Sequence, residues 1–432
     1  MNYTLCSGVD HMKIGERIRF YRLQQNKTQE ELASGIISVS YLSKIENNQS
    51  LPSVEVLTLL CNRLNISLND EGEPNVLDRL KDWYKLIINR DTDLAAKEYE
   101  EMKGIMNQKD STGLLYFMMF ELRFHLLNRN ISLANQQIER LQEYTTLFSG
   151  DLLYYFLKFQ GLSAYLQNQF SEAYEKYKKA ETLLASNVFE KWEEADLYYS
   201  IALTSSRLWK VSICLRYTNQ ALGIYQAIYD YKRSAECQVL LGISFQRSGE
   251  WKKAEESLLL TSKIADSLHD VNLKGMVHHN LGYLFSLQEK SDLAIEHYTK
   301  SIEYRNQGDY ARKLHTMFSL VMEYYKVKDF ERALEWVSQA FDILDSQDQK
   351  LTEYEYHFKT YYYLLNQSRS EEFESFMKDK VIPYFAEHKM YEYLATYAEI
   401  LATYYENAYR YKLSSQYFRV SNDALRNIYK LV

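Results

Sequence analysis

Residues 28–46 read Thr28-Gln29-Glu30-Glu31-Leu32-Ala33-Ser34-Gly35-Ile36-Ile37-Ser38-Val39-Ser40-Tyr41-Leu42-Ser43-Lys44-Ile45-Glu46. The pattern predicts two short helices joined by a tight turn. Thr28 followed by Glu31 is a capping box, in which the threonine hydroxyl takes one free backbone N–H and the glutamate reaches back to another. Leu32 and Ala33 give the first helix its inner face, and Gly35 stands where the chain must turn. Ser38 caps a second helix whose Leu42 and Ile45 point inward, which leaves Ser40, Tyr41 and Lys44 outside. Two crossed helices with a small, polar outer face make a helix-turn-helix that fits a DNA major groove.

The flanks extend this reading. Ile14, Ile18, Tyr21 and Leu23 predict a preceding helix, and Pro52-Ser53 opens a following one with Val56, Leu57, Leu60 and Leu64 at helical spacing. Over residues 13–70 the positions Arg17, Thr28, Gln29, Glu31, Leu32, Ala33, Leu42, Ser43, Ile45, Glu46, Pro52 and Leu57 resemble the Xre/Cro-like repressors. The expectation is a five-helix DNA-binding domain. Gln29 is expected at phosphate or base, Ser38, Ser40, Tyr41 and Lys44 where the recognition helix meets the duplex, and Asn47 with Asn48 at phosphate. Glu46 is expected to pair with Arg17 or Arg19. The bland alternative is a copy of this fold that contacts protein only.

The chain has 432 residues, with 46% hydrophobic content, only 14 glycines and only 3 prolines. Both breakers fall far below the roughly 7% and 5% of average proteins, so the expected fold class is all-α. Cys6, Cys61, Cys214 and Cys237 are scattered, which suits reduced packing residues rather than a disulfide framework. No apolar run approaches the roughly 18 residues of a membrane span, and the first dozen residues lack an export pattern, so a cytoplasmic location is expected. Net charge is −7, yet residues 1–70 carry seven Lys/Arg against seven Asp/Glu. Such a reader binds DNA weakly by charge alone and needs a dimer to hold a site.

Asn69 to Asn75 holds Gly72 and Pro74 among polar residues and reads as a linker. This sets domains at 13–70 and 77–432, joined by residues 71–76. Beyond it the chain repeats. Leu241-Gly242-x-x-Phe245 with Ala254 and Leu258 recurs as Leu281-Gly282-x-x-Phe285 with Ala294 and Tyr298, and Gly161, Ala173 and Tyr177 follow the same scheme. The glycine is expected to let two helices approach, with the aromatic beside it filling the gap and the alanine seating the second helix. Seats at Ala95, Ala134, Ala173, Cys214, Ala254, Ala294, Ala333, Phe373 and Ser414 are spaced by about 40 residues, which predicts about nine helix pairs in a right-handed superhelical solenoid. The spacing resembles the tetratricopeptide repeat, although the unit is longer than the standard and lacks its prolines. A HEAT-like array is the competing reading.

No phosphate loop, zinc motif or nucleophile elbow is present, so no catalytic residue, metal or cofactor is expected and the chain reads as a non-enzyme. His278 and His279, adjacent on a helix, point about 100° apart and cannot chelate together. The inner wall of a solenoid is instead a place for an extended peptide, whose backbone an asparagine can hold with both donor and acceptor. The candidates are Arg123, Tyr199, Ser200, Arg207, Gln246, Arg247, His279, Asn280, Tyr283 and Tyr325. For each of them, ordinary packing or a solvated surface is the competing role.

A reader followed by such repeats resembles the Rap, Rgg, NprR, PlcR and PrgX family of peptide-responsive regulators of Gram-positive bacteria, and nine repeats most resemble its NprR branch. The resemblance covers residues 13–432. It implies a quorum-sensing transcription regulator with three partners: a double-stranded DNA operator, a short signalling peptide, and copies of itself in a homodimer or higher oligomer. It implies a response-regulator protein as a further partner. The alternative is a repeat module that inhibits such a phosphorelay protein, with DNA binding secondary.

Overall fold

The computed structural model describes residues 12–67, 76–106, 110–148, 150–187, 189–305, 310–347, 350–366 and 371–430. The expected linker at 69–75 lies outside the described residues. All regular structure among the described residues is helical. The chain divides into two compact units, residues 1–189 and 190–432.

The first unit opens with α1 (Ile14–Gln24), α2 (Gln29–Ala33), α3 (Val39–Glu46) and α4 (Val54–Leu64). The described residues thus give the reader four helices where five were expected. Its capping box forms as the sequence dictates: Glu31 N–H donates to Thr28 Oγ1 (3.1 Å) and Thr28 N–H to Glu31 Oε2 (2.7 Å). That backbone hydrogen bond holds the exposed Glu31 carboxyl below its ordinary pKa. Ser38 caps α3 and Ser53 caps α4, each accepting a backbone N–H three residues on. Helix α1 crosses α3 so closely that a Cβ at Gly15 would lie 2.0 Å from the Ile45 carbonyl oxygen. Only glycine fits there.

Three helix pairs complete this unit: α5 (Val76–Asn89) with α6 (Thr92–Ile105), α7 (Ser111–Leu127) with α8 (Ile131–Gln142), and α9 (Gly150–Leu166) with α10 (Phe170–Leu184). The reader docks on the second pair. The fully buried Phe20 of α1 packs its ring 5.3 Å from that of buried Tyr144, just past α8. Met12 N–H donates to Thr112 Oγ1 of α7 (3.2 Å). A polar cleft beside this contact is lined by Gln24, Asn26, Gln136, Glu139 and Arg140.

The second unit holds six pairs. They are α11 (Lys191–Arg207) with α12 (Val211–Ala227), α13 (Tyr231–Arg247) with α14 (Trp251–Ser267), α15 (Val271–Leu287) with α16 (Ser291–Tyr304), and α17 (Tyr310–Lys326) with α18 (Phe330–Asp345). Next, α19 (Thr352–Leu365) pairs with α20 (Glu371–Phe376), which runs through a π-helical turn at Met377–Val381 into α21 (Ile382–Glu387). Last come α22 (Tyr391–Asn407) and α23 (Tyr411–Lys430).

All nine expected seats lie at the third or fourth residue of a second helix and are at most 5% exposed. The glycine contacts differ in one respect from the sequence reading. The side chain laid over Gly282 is Tyr298, four residues past the seat, and a Cβ there would meet its ring at 2.6 Å. Tyr177 covers Gly161 and Leu258 covers Gly242 in the same way, while Phe285 stacks on His297 instead. Glycine is otherwise scarce because helices end without it. Asn168, Trp209, Glu289 and Lys328 take left-handed conformations, with φ between +58° and +63°.

Two substitutions test this packing. Gly282→Ala is expected to destabilise by about 1–3 kcal/mol through overpacking against Tyr298. Gly223→Ala, on an exposed face of α12 with nothing within 4 Å, is expected to stabilise by about 0.5–1 kcal/mol. Thermal unfolding of the two variants should move in opposite directions.

Candidate functional site

The reader presents its outer face through α3. Ser38, Ser40 and Lys44 are exposed and Tyr41 is half-buried. Ser38 Oγ lies 3.2 Å from Ser40 Oγ and accepts the Tyr41 N–H, so both hydroxyls sit at the start of α3. Val39 is 42% exposed between them. Sequence reasoning gave it no role, yet an outward methyl pair on a recognition helix suits a thymine methyl. Asn47 is exposed, with its Nδ2 on the Ser43 carbonyl (2.9 Å) and its Oδ1 accepting from Arg19 (3.2 Å).

Glu46 pairs with neither Arg17 nor Arg19. It is 1% exposed and is gripped by Arg22, with Nε to Oε1 at 2.6 Å and Nη2 to Oε2 at 2.8 Å. Helix α1 turns Arg22 toward α3, while Arg17 Nη2 bonds the Ser67 carbonyl (3.1 Å). Gln29 adds a third bond, Nε2 to Glu46 Oε2 (2.8 Å). It is therefore a brace between α2 and α3 as well as a candidate contact.

In the second unit the candidates on α11, α13, α15 and α17 separate into two groups. Arg207, Arg247 and Tyr283 share one electrostatic neighbourhood, joined by Glu392 of α22. Tyr283 is 41% exposed, yet burial first, and then the Glu392 carboxylate, push its phenol pKa up. Arg247 lays its guanidinium 4.2 Å from the Trp209 ring and bonds Ser206 Oγ (3.0 Å) and the Ser206 carbonyl. Burial lowers its pKa and Glu392 opposes that. His279 lies beside them on the same helix as Tyr283, its ring 4.8 Å from His315 and its Nδ1 3.1 Å from Thr316 Oγ1. Burial, then His315 and Arg305, hold His279 well below its ordinary pKa, and His315 is depressed to about 4.

The others are tied into the fold. Gln246 is buried, with Nε2 on the Asn280 carbonyl (3.1 Å), and Asn280 turns an amide N–H onto Met276 O (2.8 Å). Ser200 bonds Asp196 O (2.8 Å), Tyr199 packs on the cluster around Ala195 and Leu241, and Tyr325 rests on Phe330 and Tyr361. Arg123 lies half-buried on α7 of the first unit. Sequence reasoning missed His315 and Glu392. The 39-residue step from Glu353 to Glu392, both at the second position of their helices, is a signal that could have found the latter. His278 faces away from His279, its Nδ1 2.9 Å from His297 Nδ1. Among the described residues no cluster of three or more His, Cys, Asp or Glu could hold a metal ion, and no helix is long and apolar enough to cross a membrane.

The Arg22–Glu46 fork is open to test. Glu46→Ala leaves a buried guanidinium unpaired and is expected to cost about 3–5 kcal/mol. Hydrogen exchange should show residues 39–46 losing protection while the amides of α13 to α16 keep theirs.

Comparison with known proteins follows the two parts of the chain. The helix-turn-helix family HTH_3 matches residues 18–70. Transcriptional activator NprA of Geobacillus stearothermophilus is 45% identical over 403 residues, covering 92% of this chain and 99% of that one. Regulatory protein RapG of Bacillus subtilis (strain 168) is 24% identical over 289 residues, 66% of this chain and 79% of that one. Among solved structures, a Rap protein complexed with competence and sporulation factor matches with TM-score 0.71 and 18% identity, covering 83% of this chain and 99% of that one. NprR in complex with its cognate peptide NprX matches with TM-score 0.64 and 20% identity, covering 82% and 99%. These two likenesses show the fold. With the NprA identity spread over nearly its whole length, the chain belongs to the family of peptide-responsive quorum-sensing transcription regulators, in the branch that joins a helix-turn-helix to tetratricopeptide-like repeats.

Proposed function

We propose that this protein is a cytoplasmic transcription regulator, not an enzyme, whose helix-turn-helix reads an operator and whose repeat array binds a short signalling peptide. Residues 13–70 form the reading domain, residues 77–432 the peptide-binding and oligomerising domain, with 71–76 between them. The observation that carries the reading is the shared neighbourhood of Arg247, Tyr283 and Glu392, drawn from α13, α15 and α22. Helix α22 belongs to the third pair beyond that of α15, so these groups meet electrostatically only where the wall bends inward, and a concave polar wall suits an extended peptide. Ser38, Ser40, Tyr41, Lys44, Asn47 and Val39 form the DNA face, with Gln29 bracing it.

Peptide binding acts by population shift. A ligand touching several repeats favours one curvature of the array, and only its differential affinity for that state counts. The route to the DNA face is the docking of α1 on the second helix pair. Helix α1 holds Phe20 against Tyr144 on one side and Arg22 against Glu46 on the other. A change in α7–α8 therefore moves the recognition helix with it. In a homodimer this resets the spacing of two readers on a two-fold site. The Rap relatives favour a second reading, inhibition of a response-regulator protein by the repeats. One of them, 24% identical over 82% of this chain, is a response regulator aspartate phosphatase. Pull-down of response regulators by the full chain, with and without a Lys44→Ala change, separates the two readings.

Two outcomes are expected. Lys44→Ala should weaken operator binding evenly across sequences and reduce the slope of log affinity against log salt by about 1, read by fluorescence anisotropy. Tyr144→Ala should leave peptide affinity intact in calorimetry while operator affinity no longer responds to peptide. An unchanged peptide response in that variant would show that the signal travels by another route.

A further inference from the structure

We infer that Arg247 is a carboxylate post in the groove, so that the peptide this protein senses carries an acidic group at that point. The inference rests on the peptide-groove reading and narrows the ligand class within it. Arg247 is the last residue of α13 and is half-buried. Its flat guanidinium lies on the Trp209 indole at 4.2 Å and one nitrogen, Nη1, is spent on Ser206, at the side-chain oxygen (3.0 Å) and the carbonyl. Those two contacts fix the plane of the fork. They leave the other edge of the guanidinium for a planar, two-oxygen partner.

No such partner is supplied from within the chain. Among the described residues Arg247 makes no ion pair. Glu392 is near enough to stabilise its charge but does not bond it. A guanidinium that has given up part of its hydration without gaining a carboxylate is under-compensated, and an incoming carboxylate supplies what is lacking. Tyr283, exposed on the adjacent pair in the field of the same Glu392, offers a phenol hydroxyl beside it. The surroundings sharpen the effect. The chain as a whole carries −7, so a cationic point inside a concave, partly desolvated wall selects an anionic ligand by position rather than by bulk attraction. A peptide without a carboxylate there would bury Arg247 unpaired.

Two sources supply this chemistry, an Asp or Glu side chain and a free C-terminus. Synthetic heptapeptide pools distinguish them: one with Asp/Glu and free C-termini, one with Asp/Glu and amidated C-termini, one with free C-termini but no Asp/Glu, and one with neither. Each is incubated with the full-length protein, and retained peptide is measured by mass spectrometry after gel filtration. The fourth pool is expected to be retained about 10- to 100-fold less than the best of the others. The second and third pools identify the source. Arg247→Met should abolish this difference and Arg247→Lys should keep part of it. Raising salt on the unmodified protein should narrow it, a readout that needs no variant to fold. Equal retention of all four pools, or discrimination that survives in Arg247→Met, overturns the carboxylate post and leaves the groove standing. Retention of no pool overturns the groove and the inference together.

Discussion

The constraint on which the repeat array depends is the closeness of the two helices in each pair. In eight of the nine pairs the fourth residue of the second helix is a buried alanine, cysteine or serine, alanine in six of them, and only the α19–α20 pair seats a large residue, Phe373. Four residues later a large side chain, Tyr177, Leu258 or Tyr298, closes over a glycine of the first helix. Small under large, repeated at a step of about 40 residues, locks each pair and leaves its outer face to the next pair. Within each unit the pairs therefore stack on their chain neighbours.

That scheme was legible because it is local. A seat, a cover and a cap fall within twenty residues of one another, and spacing alone determines whether they meet. The capping box at Thr28 and Glu31 and all nine seats were legible for this reason. What spacing cannot supply is the phase of one helix against another. Arg17, Arg19 and Arg22 all lie on α1, and only its crossing over α3, set by Gly15, decides that Arg22 reaches Glu46. The same holds for Phe20 and Tyr21. Tyr21 read as an inward residue of the first helix, yet it is Phe20, to which the sequence reading gave no role, that meets Tyr144. Among the candidates on the repeats, Tyr199 and Tyr325 pack against neighbouring side chains, whereas Glu392 had a repeat partner in the sequence and was given no role.

A buried ion pair is an uneconomical way to gain stability, since an apolar contact of equal volume does as well. The Arg22–Glu46 fork is better understood as a positioning device. Two parallel hydrogen bonds fix the end of the recognition helix in rotation as well as distance, and the Gln29 amide ties the preceding helix to the same carboxylate. Gln29 still has a second amide hydrogen for DNA, so bracing and contact are compatible. A bound phosphate there would be held by a side chain whose angle is already set.

The charge balance of the reader gives that precision its purpose. Seven basic against seven acidic residues in the first 70 leave little of the counterion-release affinity on which most DNA-binding domains draw. What remains on the proposed DNA face is short-range: the Ser40 hydroxyl, the Val39 methyls, the Lys44 ammonium, each effective only at the right depth and angle. Two readers engaging one site together add their contributions only if their separation matches the operator. A small change of spacing then removes most of the binding rather than a fraction of it. Weak electrostatics and stiff geometry thus belong together. A strongly basic reader would cling to DNA whatever the array did, whereas under the proposed mechanism this one transmits the state of its repeats because it has little else to hold on with.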